Sequence, residues 1–153
     1  FPIGLTTVTC SATDAHGNTG SSSFSITVQD TTPPAIGNVV DIVAEATSAA
    51  GATVLYVSPN ATDAVDGTLG TSCAPASGSV FAIGDATVTC SVTDAHGNFA
   101  SKSFNVKVQD TTPPTVTVPA DITTEATGAS GAVVNFSASA SDIVDGARPS
   151  GGS

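Results

Sequence analysis

The sequence has no tryptophan and no methionine, a single tyrosine, and only three cationic side chains, Lys102, Lys107 and Arg148. Against thirteen acidic residues this leaves a net charge of −10. Nucleic acids and anionic membrane surfaces are held by clustered Lys and Arg, so neither is an expected partner. No apolar run approaches the roughly 18 residues that a membrane-spanning helix needs, which argues against membrane insertion. The strong helix formers Leu, Glu and Lys are scarce, and no segment repeats with a 3.6-residue period. The sequence opens in mid-repeat, so the lack of a signal peptide carries no information about export.

What is abundant is Thr, Ser, Val, Ala and Gly, the composition of strands and turns. The pattern repeats. VQDTTPP occurs at Val28–Pro34 and again at Val108–Pro114, an offset of 80 residues, as between Cys10 and Cys90 or Asp41 and Asp121. The opening FPIGLTTVTCSATDAHGN returns as FAIGDATVTCSVTDAHGN from Phe81, and DIVAEATSAAGATV from Asp41 returns as DITTEATGASGAVV from Asp121. The offset then slips to 79, pairing Asp63 with Asp142 and Asp66 with Asp145. Self-similarity at a fixed period is the signature of a repeat architecture. The expected division is residues 1–30 as the C-terminal part of a preceding unit, 31–110 as a complete unit, and 111–153 as the N-terminal part of a following unit.

Within the complete unit Val88, Cys90 and Val92 alternate with Thr87, Thr89, Ser91 and Thr93, and Phe104, Val106 and Val108 alternate with Ser103, Asn105 and Lys107. This period of two predicts strands with one apolar face. DAHGN at Asp94–Asn98 suits the turn between them, and further strands are expected over Ile36–Val43 and Thr53–Val57. Short antiparallel strands with frequent turns in about 80 residues point to an all-β chain of immunoglobulin-like β-sandwich repeats in tandem. A half-unit leaves an apolar sheet face uncovered, so the two ends would need completion by neighbouring copies. PSGGS at Pro149–Ser153 followed by FPIG would restore the pattern of PASGSVFAIG at Pro75–Gly84.

There are three cysteines. Cys73 and Cys90 share the complete unit and are either bridged, closing a loop worth roughly 3 kcal/mol, or two buried thiols in a reducing compartment. Cys10 is the copy of Cys90, and the position that copies Cys73 in the trailing segment is Gly152.

The succession VTC.ATDA.GN, then F.V.VQDTTPP, then DI..EAT…GA.V resembles the hyalin repeat, or HYR domain, over essentially the whole chain. The resemblance implies an immunoglobulin-like module of extracellular, cell-surface and adhesive proteins, often in long arrays and without catalytic activity. It implies that Cys73 pairs with Cys90, and Gly152 departs from that pattern. The expected role is therefore a non-enzymatic structural module of a stalk, matrix or surface filament, with neighbouring copies of the same repeat as partners. The alternative is an adhesion or ligand-binding module, which would need an exposed apolar patch that the sequence hardly offers.

Twelve of the thirteen acidic residues form six repeat pairs, Asp14/Asp94, Asp30/Asp110, Asp41/Asp121, Glu45/Glu125, Asp63/Asp142 and Asp66/Asp145. In an immunoglobulin-like sandwich the N-terminus, the second-to-third-strand loop and the last hairpin share one pole. That pole of the complete unit should gather Asp30, Asp63, Asp66, Asp94 and Asn98. At the opposite pole Glu45 and Asp110 should meet Asp142 and Asp145 of the next unit. Ca²⁺ requires six to eight oxygens at about 2.3–2.6 Å, which such poles could offer. The competing reading is that DAHGN and AVDG are simply turns, since Asp, Asn and Gly favour loops for backbone reasons. His16 and His96 sit in the two DAHGN turns; one His beside one Asp is too sparse for a transition-metal site, and no nucleophile–His–acid set is plausible. Asn60-Ala61-Thr62 and Asn135-Phe136-Ser137 are acceptor tripeptides for N-glycosylation.

Overall fold

A computed structural model describes residues 1–148, and among these no helix is present. The chain opens with a hairpin of β1 (Gly4–Thr13) and β2 (Thr19–Val28), paired without interruption from Gly4 opposite Val28 to Thr13 opposite Thr19. Its turn is built by one side chain. Asp14 Oδ1 accepts from the backbone N–H groups of His16 and Asn18, Asp14 Oδ2 accepts from Asn18 Nδ2, and Gly17 takes the positive φ of 87° that closes the loop.

Nine strands follow in the complete unit: β3 (Ala35–Ile36), β4 (Ile42–Glu45), β5 (Ala52–Thr53), β6 (Asn60–Asp63), β7 (Gly67–Gly70), β8 (Ser72–Ala74), β9 (Val80–Phe81), β10 (Gly84–Thr93) and β11 (Phe99–Gln109). They form a β-sandwich. One sheet has the order β4-β11-β10-β8, the other β3-β6-β7, and the short β5-β9 pair closes the side. All pairings are antiparallel except β4, which runs parallel to β11. The alternating apolar residues supply the core: Val88, Cys90, Phe104, Val106 and Val108 pack with Ala46, Ala52, Val54 and Phe81. Val88, Val106 and Val108 are fully buried, each contributing about 1.5–3 kcal/mol relative to exposure. Tyr56 meets Phe104 edge to face at 5.2 Å. Cys73 and Cys90 are bridged, and they stand opposite one another on β8 and β10, so the disulfide links neighbouring strands of one sheet.

The β10–β11 register, Gly84 opposite Val108 to Thr93 opposite Phe99, is that of β1–β2 shifted by the 80-residue offset. Beyond the second VQDTTPP come β12 (Thr115–Thr117), β13 (Ser139–Asp142) and β14 (Gly146–Arg148), in the order and pairing of β3-β6-β7. Gly152 and the PSGGS stretch lie outside the described residues.

Two expectations require correction. Ile36–Val43 is not one strand: β3 joins one sheet and β4 the other, with the chain crossing between them. Over Thr53–Val57 the ladder stops at Thr53. The alternation continues, with Val54 buried and Leu55 and Val57 exposed, but beyond Val54 the backbone bonds a side chain, Tyr56 N–H donating to Ser77 Oγ.

Candidate metal centre at the acidic poles

At one pole of the complete unit, Asp30, Asp63 and Asp94 each bring a carboxylate oxygen within 4.8 Å of the others, and Asp30, Asp66 and His96 do the same with one ligand atom each. Each position follows from local chemistry. Asp94 repeats the work of Asp14, accepting from the His96 and Asn98 amides with Oδ1 and from Asn98 Nδ2 with Oδ2. Asp63 closes the β6–β7 turn, its Oδ1 accepting from Val65 N–H and Asp66 N–H. Asp30 Oδ1 accepts from Thr32 N–H at the entrance to the proline pair.

The second oxygens are different. Asp30 Oδ2 and Asp63 Oδ2 are buried and accept no hydrogen bond. The Asp30 side chain is only 4 % exposed, and His96 Nδ1 stands 3.5 Å from its Oδ2. His96 Nδ1 is also 3.1 Å from Asp66 Oδ2. Asp66 raises the His96 pKa by its hydrogen bond; burial opposes this, and the charges of Asp66, Asp30 and Asp94 reinforce it. For Asp94 burial disfavours ionisation, but the bonds from Asn98, His96 and Gly97 outweigh it and hold the carboxyl below its usual range.

The residues around the second VQDTTPP repeat this plan. Asp110, Asp142 and Asp145 bring one oxygen each within 4.8 Å of one another. Asp142 Oδ1 accepts from Val144 N–H and Asp145 N–H, while its Oδ2 is buried without a hydrogen bond, as for Asp63. The Asp145 and Val144 amides hold the Asp142 carboxyl below its usual range. Arg148 Nη2 stands 2.6 Å from Asp145 Oδ1 and neutralises part of the charge at the rim.

Two candidate residues serve otherwise. Glu45 is not in either carboxylate group: it accepts from Thr111 N–H and Thr111 Oγ1, at 2.7 and 2.9 Å, and from Thr112 Oγ1, and so clamps the second VQDTTPP to the unit it leaves. Asn98 donates to Asp94 Oδ2 and, at 3.4 Å, to the carbonyl oxygen of Asp30, tying the first VQDTTPP to the hairpin turn. His96 is the residue that reasoning from sequence set aside. Its turn lies on the same pole as Asp30 and Asp66, and that placement was the available signal.

The joint also has an apolar part. Val144, in the β13–β14 turn, is 8 % exposed and belongs to the same contiguous core as Ala46 and Val108. Its copy Val65, at the other pole, is 48 % exposed.

Comparison with known proteins agrees with the motifs. Residues 29–108 match the HYR domain family. The chain is 38 % identical over 127 residues to hyalin of Lytechinus variegatus, covering 78 % of the chain and 24 % of that protein. It is 38 % identical over 146 residues to hyalin of Strongylocentrotus purpuratus, covering 89 % of the chain and 12 % of that protein. The chain thus spans about a quarter and about an eighth of the length of these relatives.

Proposed function

Since the chain belongs to the HYR domain family, we propose that it is a non-enzymatic structural module of an extracellular tandem array, stiffened by Ca²⁺ where successive units meet. Its partners are neighbouring copies of the same repeat, joined end to end. One observation carries the calcium reading. Asp30, Asp63 and Asp142 each bind their own backbone with Oδ1 and leave a buried Oδ2 without a hydrogen bond, aimed among other carboxylates. A buried anionic oxygen without a partner costs stability, and repulsion between neighbouring carboxylates adds to the cost. A hard divalent cation relieves both. Asp30 and Asp63 with Asp94 would hold the ion at one pole, and Asp110, Asp142 and Asp145 at the other.

The neighbouring contacts supply the stiffness. Pro113 and Pro114 restrict the linker, Glu45 clamps Thr111 and Thr112, and Val144 is buried on the preceding unit. No helix among the described residues is long and apolar enough to cross a membrane, and the secretory setting rests on the family and the Cys73–Cys90 disulfide.

Calorimetric titration of Ca²⁺ into the chelator-stripped chain tests the reading. Heat of binding is expected together with a rise in melting temperature, since an ion at 100 times its Kd stabilises by about 2.7 kcal/mol. Asp63→Asn and Asp142→Asn should each remove one site. No heat and an unchanged melting temperature would overturn it.

A second reading, adhesion or ligand binding, is favoured by one feature. A groove beside β4 is lined by Val39, Val40, Ile42, Tyr56, Val57 and Phe104, with Val40 and Val57 largely exposed. It is the apolar patch that the sequence was not expected to offer.

A further inference from the structure

The pole of the complete unit contains a nitrogen donor that a calcium site does not use. We infer that Asp30, Asp66 and His96 form a separate site for a borderline divalent metal of the Zn²⁺ class, with three protein ligands and the remaining position open to water. The inference does not rest on the calcium reading, although the two sets share Asp30.

Three observations carry it. The first is the ligand chemistry. An imidazole nitrogen suits Zn²⁺, Co²⁺ or Ni²⁺, whereas Ca²⁺ selects oxygen, so His96 divides the pole into an all-oxygen set and a mixed set. The second is spacing. Tetrahedral Zn²⁺ with ligands at about 2.0–2.2 Å places those ligands about 3.3–3.6 Å apart. His96 Nδ1 lies 3.1 Å from Asp66 Oδ2, its hydrogen-bond partner, and 3.5 Å from Asp30 Oδ2, one slightly inside those edges and one within them, and the three ligand atoms lie within 4.8 Å of one another. The third is the floor of the site. Asp30 Oδ2 belongs to a side chain 4 % exposed and accepts no hydrogen bond, so the oxygen aimed into the cluster is free to coordinate.

The supporting contacts orient these ligands. The backbone N–H of His96 donates to Asp94 Oδ1, which fixes the turn carrying the imidazole. Asn98 Nδ2 bonds the Asp30 carbonyl oxygen, and Thr32 N–H bonds Asp30 Oδ1, so the shared carboxylate is held at two points. Bonds of this kind hold metal ligands in place without touching the metal. Exposure of the side chains rises from Asp30 through Asp66 at 15 % to His96 at 28 %, which leaves an entry from solvent.

Co²⁺ is the appropriate probe, because four-coordinate Co²⁺ absorbs strongly in the visible and six-coordinate Co²⁺ hardly at all. The full chain is used with Cys10→Ser and His16→Gln, which remove the exposed thiol and the other imidazole. Titration without Ca²⁺ should produce the visible bands with one equivalent of Co²⁺, and one equivalent of Zn²⁺ should bleach them. His96→Gln should abolish the bands, and Asp66→Asn should abolish or markedly weaken them, with both variants keeping the β-rich circular dichroism of the parent. Calcium heats for His96→Gln should equal those of the parent, which separates this site from the all-oxygen one. Absence of bands in the parent, or bands unchanged in His96→Gln, would overturn the inference.

Discussion

The chain contains the same hairpin twice in two different surroundings. β1–β2 and β10–β11 share their register, their DAHGN turn and the bonds that Asp14 and Asp94 make within it. Yet Phe104 is 6 % exposed and its copy Phe24 is 53 % exposed, and Cys90 is bridged where Cys10 is an exposed thiol. Local sequence therefore sets strand, turn and register, while burial is set by residues some 30 to 60 positions earlier, among them Ala46 and Val54. Under the proposed tandem reading, the exposed face of β1–β2 is the surface that further strands of a repeat would cover.

The largest test of that comparison is to truncate both phenylalanines. Phe104→Ala should cost about 3–5 kcal/mol in urea unfolding of the complete unit. Phe24→Ala, on an uncovered face, should fall within about 0.5 kcal/mol in dilute solution. Equal losses would mean that β1–β2 is already covered by another copy, and sedimentation would then show an assembly.

A smaller effect distinguishes the two poles. Val144→Ala removes two buried methyl groups from the joint and should cost about 1–2 kcal/mol. Val65→Ala should change stability by no more than about 0.5 kcal/mol, because Val65 is half-exposed. If a longer chain carrying a whole preceding unit shows the same indifference at Val65, the two joints are not built alike.

Much of this was legible from residues. The period of two in Val88–Val92 and Phe104–Val108 predicted the central hairpin because its side chains are read directly by the core. The carboxylate poles were legible because Asp30, Asp63, Asp66 and Asp94 lie at turns whose ends the sandwich topology brings together. The break between β3 and β4 was not, since a chain that changes sheets can keep an apolar composition throughout. β7 was missed because Gly67 and Gly70 carry no strand propensity; Asp63 sets its turn and its pairing to β6 does the rest. Glu45 was grouped with the carboxylates on position alone. Only the backbone path of Thr111 and Thr112 reveals that its oxygens are already engaged.

Glu45 and its copy Glu125 offer the finest comparison, through pH. The Thr111 amide and hydroxyl lower the Glu45 pKa from 4.5; burial opposes them, and Thr112 adds to them. A carboxylate with a depressed folded pKa contributes its stabilisation above the unfolded value and loses it as pH falls through the folded one. The clamp should therefore be intact at and above pH 4.5 and should release only below it. The Thr111 amide resonance, followed by NMR during acidification, should move with a midpoint below 4.5. Glu45→Gln should abolish that step and broaden the range of angles between the complete unit and the β12–β14 segment. Glu125 is exposed, so Glu125→Gln should leave both readouts unchanged. A midpoint for Thr111 at or above 4.5 would show that Glu45 does not hold the linker, leaving the prolines, Val144 and the proposed Ca²⁺ ion to stiffen the joint.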